Sequence, residues 1–133
     1  MGVPAATQTS QVVSVDIHIV MVPTPGGPVP TPLPHPFVGQ IDGATCPTVN
    51  IGGQPAAVKG SVASNQPPHI ATPPGTTFQK PPSDKGTVFM ASLSVNAGGQ
   101  GIARLGDPVE TCNDPSDLPV GSIVTGVPTV GVG

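Results

Sequence analysis

Proline or glycine interrupts almost every window of this chain: 20 prolines and 18 glycines are spread over 133 residues. A proline inside a helix costs about 3 kcal/mol and a glycine about 1 kcal/mol, so helices are nearly excluded. The longest stretch free of both, residues 5–22, contains VVSVDIHIVMV, which is β-branched and close to alternating, the chemistry of a strand. Shorter strands are expected over 48–51, 87–97, 122–125 and 129–132, each bounded by Gly or Pro. The expected fold is all-β, with many loops.

This much Pro and Gly also marks disordered chains, but those stay soluble through charge. Here Lys and Arg number 4, Asp and Glu 7, and the net charge is −3. With no Trp or Tyr and three Phe, any core is small and calls for a staple such as a metal or a partner. So few basic residues and aromatic platforms argue against nucleic-acid binding. No apolar run approaches the roughly 18–20 residues that would anchor the chain in a bilayer. The start, MGVPAATQTSQ, shows neither the basic nor the apolar region of a Sec signal, so cytoplasmic synthesis is expected. There, two cysteines are expected to be free or metal-bound rather than bridged.

The chain repeats itself. PTVNIGGQPAAVKG, residues 47–60, meets SVNAGGQGIARLG, residues 94–106, with Val49, Asn50, Gly52, Gly53, Gln54, Ala57 and Gly60 matching Val95, Asn96, Gly98, Gly99, Gln100, Ala103 and Gly106. A third copy is split: Pro128-Thr129-Val130 repeats Pro47-Thr48-Val49, and Pro4-Ala5-Ala6 repeats Pro55-Ala56-Ala57. One domain, 1–133, therefore contains repeat cores at about 39–60, 86–106 and 121–133, the last completed by 1–6, with a proline-rich insertion at about 23–38. The two chain ends are expected to meet, and each Gly-Gly to turn a hairpin. A closed ring of three units would also leave no exposed strand edge.

The repeat gives the histidines meaning. His18 follows Pro4 by the same spacing with which His69 follows Pro55, and Cys112 falls in the corresponding stretch after Gly101. His35, in the insertion, offers a fourth donor. His18, His35, His69 and Cys112 together form a tetrahedral zinc set with every position filled by protein, hence one structural Zn²⁺. Such an ion would hold distant loops of a chain with little core. Cys46 reads as a small packing residue, with replacement of one ligand or a Cys46–Cys112 disulfide as lesser alternatives. Asp107, Glu110, Asp114 and Asp117 read as a polar loop, and Arg104 with Asp107 as a local ion pair.

Catalytic patterns are missing. GGQPAAVKGS reverses the Gly-Lys order of a phosphate loop, and neither H-E-x-x-H nor G-x-S-x-G occurs. A zinc hydrolase with an incompletely filled site is disfavoured because no general base stands beside a ligand in sequence. The expectation is a non-enzyme.

The PTV-x-IGG-x-PAA hairpins, ARLGDPVETC and the His/His/His/Cys complement resemble the PAAR-repeat proteins. The literal tetrapeptide is absent, since residues 55–58 read Pro-Ala-Ala-Val and 101–104 read Gly-Ile-Ala-Arg. DIHIVMVPTPGGPVPTPLPHPF, PPHIATPPGTTFQKPPSDKGTVFMAS and ETCNDPSDLPVG resemble the PAAR-like branch with a proline-rich insertion. The resemblance implies a small pseudo-threefold cone of short β-hairpins with zinc near its apex. It also implies a partner, the homotrimeric valine-glycine-repeat spike of a contractile injection system, either type VI secretion or a phage-like extracellular particle. One tip would cap each trimer and sharpen it for piercing an envelope. Synthesis would be in the bacterial cytoplasm, with delivery outward in the particle and without stable membrane anchoring. Val49, Ile51, Val95, Val130 and Val132 are candidates to bury against the spike. An alternative is an adaptor that binds effector cargo or carbohydrate through the proline-rich loops.

Overall fold

The computed structural model describes residues 2–133, which are all-β, with no helix among them. In chain order the first strands are β1 (Val3–Ala5), β2 (Gln11–Val22), β3 (Val29–Gly43), β4 (Cys46–Ile51) and β5 (Gln54–Ala56). Then come β6 (Val62–Asn65), β7 (Thr77–Phe78), β8 (Lys85–Val88), β9 (Asn96–Ala97) and β10 (Gln100–Gly101). The last are β11 (Pro108–Thr111), β12 (Leu118–Ile123) and β13 (Val127–Val132).

Six strands in the order β2-β3-β6-β8-β11-β12 form an antiparallel barrel, closed where Ser122 and Ile123 pair with Val13 and Val12. A barrel this narrow is filled by its own side chains. Val12, Phe37, Ile41, Ala63, Val88, Val109 and Ile123 pack its interior. The β2–β3 hairpin continues past the closure, and there the short strand β7 flanks β2 through Val20 and Met21.

The alternation along β2 is inverted relative to an ordinary strand. Val13, Val15 and Ile17 face outward and are exposed, whereas Asp16 and His18 are buried and Ser14 is half-buried. Polar side chains therefore point into the barrel on that level, because successive strand residues face opposite sides.

Most of the proline-rich insertion is strand rather than loop, which differs from the sequence expectation. Prolines 30, 32, 34 and 36 recur with period two. All four missing N–H groups therefore fall on one edge, where proline is compatible with a strand. Pairing with β2 runs unbroken from Val29 to Gln40, so that edge faces away from β2. No strand covers it until β6 joins at Gly39. A second difference concerns 87–97, expected as one strand. It is broken between β8 and β9 because the Ser92 hydroxyl accepts the N–H groups of Ser94 and Val95 at 3.2 and 3.0 Å and winds a tight turn.

The remaining strands make three hairpins, β4–β5, β9–β10 and β1–β13, at one end of the barrel. In β1–β13 the two ends of the chain pair with each other, Val3 opposite Val132. Gly52-Gly53 and Gly98-Gly99 turn the other two with φ of 59° and 83°, and 59° and 85°. Ala5, Ile51, Ala56, Val58, Ala97, Ile102 and Val132 bury between the hairpins, with Cys46.

Where hairpins and barrel meet, three fully buried alanines close a cycle. Ala6 N–H donates to the Ala103 carbonyl at 2.9 Å, Ala103 N–H to Ala57 at 2.9 Å, and Ala57 N–H to Ala6 at 3.1 Å. The chain then turns identically three times. The N–H groups of Thr7, Val58 and Arg104 are accepted by Ser10 Oγ, Ser61 Oγ and Asp107 Oδ2 at 2.9, 2.9 and 2.8 Å. Two residues after each of these donors but the first stands a glycine, Gly60 at φ 91° and Gly106 at 88°, while the first has Thr9 at 81°. A left-handed conformation costs an L-residue roughly 1–2 kcal/mol, and Thr9 is exposed and makes no side-chain bond among the described residues. Thr9→Gly is therefore expected to stabilise the protein by about 0.5–1 kcal/mol after glycine's entropic cost. Thermal unfolding checks it, and a lower Tm would refute the assignment of strain.

Candidate metal centre

Four segments bring donors to the barrel level just beyond Phe37. β2 supplies Asp16 and His18 from its inward face. β3 places His35 directly across from Asp16 in the pairing register.

Cys112 comes from the stretch after β11, which lies along β2 in place of a strand. Asn113 Oδ1 accepts the Ile17 N–H at 2.7 Å, Asp114 Oδ2 accepts the Ile19 N–H at 2.9 Å, and Asp114 N–H donates to the Ile17 carbonyl at 2.8 Å. This docking buries the thiol and sets Asp114 Oδ2 3.5 Å from His18 Nδ1.

His69 comes from the excursion after β6. Its backbone N–H donates to Asp84 Oδ1 at 2.7 Å, and Asn65 Nδ2 faces its Nδ1 at 3.2 Å. Asn65 is oriented by the Val38 N–H, which donates to its Oδ1 at 2.9 Å.

One ligand atom each from Asp16, His18, His69 and Cys112 lies within 4.8 Å of all the others, and all four residues are buried. Asp16 Oδ1 accepts from Ser14 and Thr111 at 2.9 and 2.6 Å, leaving Oδ2 facing His69 Nε2 at 3.0 Å and Cys112 Sγ at 3.5 Å. Both ring nitrogens of His18 are buried without a hydrogen-bond partner among the described residues. Buried polar atoms normally find a partner, and leaving one unmet costs roughly 1–3 kcal/mol. A cation at the centre of this group would meet the His18 nitrogen that faces away from Asp114. The carboxylate behind the ring is the usual outer partner of a metal-bound histidine.

The three imidazole rings are spaced closely enough to surround one ion, although the His35 nitrogens are turned to Leu33 and Thr72. An imidazole centroid lies about 3.2 Å from an ion bound at about 2.0–2.1 Å, so tetrahedral ligation separates centroids by about 5.2 Å. His18, His35 and His69 are 5.0, 5.5 and 5.7 Å apart. Phe78 closes the group from the outside, 5.8 Å from His18 and 5.2 Å from His35.

Charge is balanced within the cluster. Burial alone would push the His69 imidazole down, but bonds to Asp16 and Cys112 carry it to about 9. Burial also opposes charge on His18, yet Cys112 and Asp114 raise it. No hydrogen bond reaches His18 among the described residues, so that attraction acts through space. Burial raises the Cys112 thiol, but the two imidazoles bring it below its ordinary value. Asp16 is lowered against burial by His69, Thr111 and Ser14. His35 behaves differently, because burial dominates and lowers it. These interactions favour the charged forms of Asp16, His18, His69 and Cys112 against the cost of burial, and a divalent cation would satisfy the same anionic donors. All four donors are buried, and together they could hold one metal ion.

Of the residues expected from the sequence, His18, His69 and Cys112 are brought together. His35 is beside them, with its Nδ1 2.8 Å from the Leu33 carbonyl and its Nε2 accepting the Thr72 N–H at 3.1 Å. Asp16 and Asp114 were missed. The inverted alternation of SVDIHI was the available signal for Asp16, since it puts Ser14, Asp16 and His18 on one face. Cys46 is buried between the hairpins with its Sγ 3.2 Å from Thr48 Oγ1, and both cysteines are free. Arg104 pairs with Asp107 at 2.9 Å.

No protein-family model matches the chain, and no curated protein matches it significantly.

Proposed function

We propose that this protein is a non-enzymatic, zinc-stabilised tip that caps the trimeric β-helical spike of a contractile injection system and sharpens it for piercing an envelope. The observation that carries the reading is the alanine cycle with its three hairpins. It lets one chain offer three equivalent sets of contacts, as a partner with threefold symmetry requires of a single monomeric cap. The body would then be a pseudo-threefold cone, broad at the hairpins and narrow at the β2–β3 tip, with one Zn²⁺ between.

The two ends differ as the role demands. From Ile17 to Ile41, and again from Gln66 to Gln79, there is no Asp, Glu, Lys or Arg, so the far end carries no fixed charge to desolvate on entering an envelope. The proline edge of β3 adds no N–H groups to that cost. Rigidity comes from the closed barrel and from an ion joining β2, the segment after β11 and the excursion after β6. At the broad end, Ile51 and Val132 are already buried within the hairpin layer and Val49 and Val130 pack against it. Val95, Val3 and Leu105 remain exposed there for a partner. The adaptor reading relied on proline-rich loops, and with 29–38 in β3 it retains only 23–28 and the excursion after β6.

Native mass spectrometry of the chain mixed with a trimeric spike protein tests the proposal. One copy of this chain and one zinc per three spike chains are expected. A complex with three copies, or none at all, would refute the cap.

A further inference from the structure

Asp16, His18, His69 and Cys112 bring their ligand atoms together, and the His35 ring stands beside them, 5.5 Å from His18 and 5.7 Å from His69. Asp16 and His35 are cross-strand neighbours on β2 and β3, and each is prepared to bind. The Oδ1 of Asp16 is occupied by Ser14 and Thr111, which leaves Oδ2 aimed at His69 and Cys112. The Nδ1–H of His35 donates to the Leu33 carbonyl, which places the lone pair on Nε2. That lone pair is taken by a single backbone donor, the Thr72 N–H. Thr72 also ties the excursion to β3 through its hydroxyl, which donates to the Pro34 carbonyl at 2.9 Å.

The two donors also differ in position. Asp16 is wholly buried inside the barrel. His35 lines a cleft of about 270 Å³ between β3 and residues 65–73, whose wall also includes His69.

We propose that the fourth coordination position is shared, with Asp16 Oδ2 and His35 Nε2 as alternative ligands of one ion held by His18, His69 and Cys112. This rests on the metal reading above and extends it. With Asp16 bound, His35 keeps Thr72 and the excursion stays pinned. With His35 bound, Nε2 leaves the Thr72 N–H, and the excursion is loosened at that point. Carboxylate and imidazole both suit Zn²⁺, so neither alternative is excluded by ligand chemistry.

Zinc content, chelator competition and the Co²⁺ absorption spectrum of Asp16→Asn, His35→Ala and the double variant test this. Because alternative ligands add their association constants, each single variant is expected to keep one ion, at least one of them with affinity lowered no more than about twofold, and the double variant to lose it. All Co²⁺ forms that bind should show thiolate charge transfer. The ligand-field bands of Asp16→Asn and His35→Ala should differ from each other and bracket those of the wild type. Loss of the ion in either single variant, or affinity and spectrum unchanged in either, would overturn sharing. Wild-type Thr72 supplies a measurement independent of how the variants fold: zinc should speed its amide exchange, and unchanged or slowed exchange would overturn the proposal. A wild-type chain that binds no metal would instead refute the zinc reading itself.

Discussion

Cys112→Ser is expected to reduce zinc from one per chain to near zero and to lower Tm by about 10–20 °C. The thiolate is the softest donor of the cluster and the one that most favours zinc over hard cations. It also sits where the segment after β11 docks on β2. With zinc at about 1,000 times its dissociation constant, binding contributes about 4 kcal/mol, and each kcal/mol moves Tm by a few degrees in a domain of this size. Serine keeps the shape, so cavity formation contributes little. Differential scanning calorimetry with elemental analysis decides the matter. A variant with full zinc and parental Tm would remove Cys112 from the ligand set, and chelation of the wild type should reproduce the loss.

Gly101→Pro is expected to destabilise the protein by about 3 kcal/mol, although it restores the residue that the other two repeats carry at this place. Pro4 and Pro55 hold the equivalent positions. A Cβ at Gly101, however, would run into the backbone carbonyl oxygen of Ser92, which bends in where the Ser92 hydroxyl winds its turn. Because the obstacle is backbone rather than the end of a flexible side chain, the cost lies at the upper end of the roughly 1–3 kcal/mol for overpacking. Pro55→Gly, the reverse exchange in the second repeat, should cost about 0.4–1 kcal/mol through the unfolded chain alone. Denaturant unfolding of the two variants separates these values. Equal stabilities would mean that the Ser92 turn yields freely.

The same comparison shows why some of the architecture was legible and some was not. Repeat offsets are read directly from residue order, and the matches at Ala57 and Ala103, with Ala6 at the far end of the chain, predicted the meeting of the two ends. They did not show that these alanines would exchange hydrogen bonds in a cycle, because that depends on three backbones approaching within bonding distance. The equivalence extends further than identity revealed. Thr9 occupies the place of Gly60 and Gly106, but a threonine where two glycines stand hides the match.

The β3 strand was hidden for a different reason. Proline counts against a strand when its missing donor is needed, and composition does not say which edge that donor faces. Only the pairing of Val29–Gln40 with β2 shows that the missing N–H groups of prolines 30, 32, 34 and 36 lie on the side that no strand pairs with. The candidate metal site divides in the same way. His18 and His69 stand at matched repeat spacing and Cys112 in the corresponding stretch, so residue order was enough to nominate them. Asp16 and Asp114 belong to no repeat pattern. Asp16 enters the group because β2 turns its polar face inward, and Asp114 because the segment after β11 lies along β2.

Residue order alone thus determined the strand-only character, the three units and three of the donors, since helix exclusion and repetition are properties of the covalent chain. Tertiary structure decided which donors stand side by side, which edge the prolines occupy and where a restored proline would collide. Those depend on which segments the closing barrel presses together, a through-space relation that spacing along the chain does not encode.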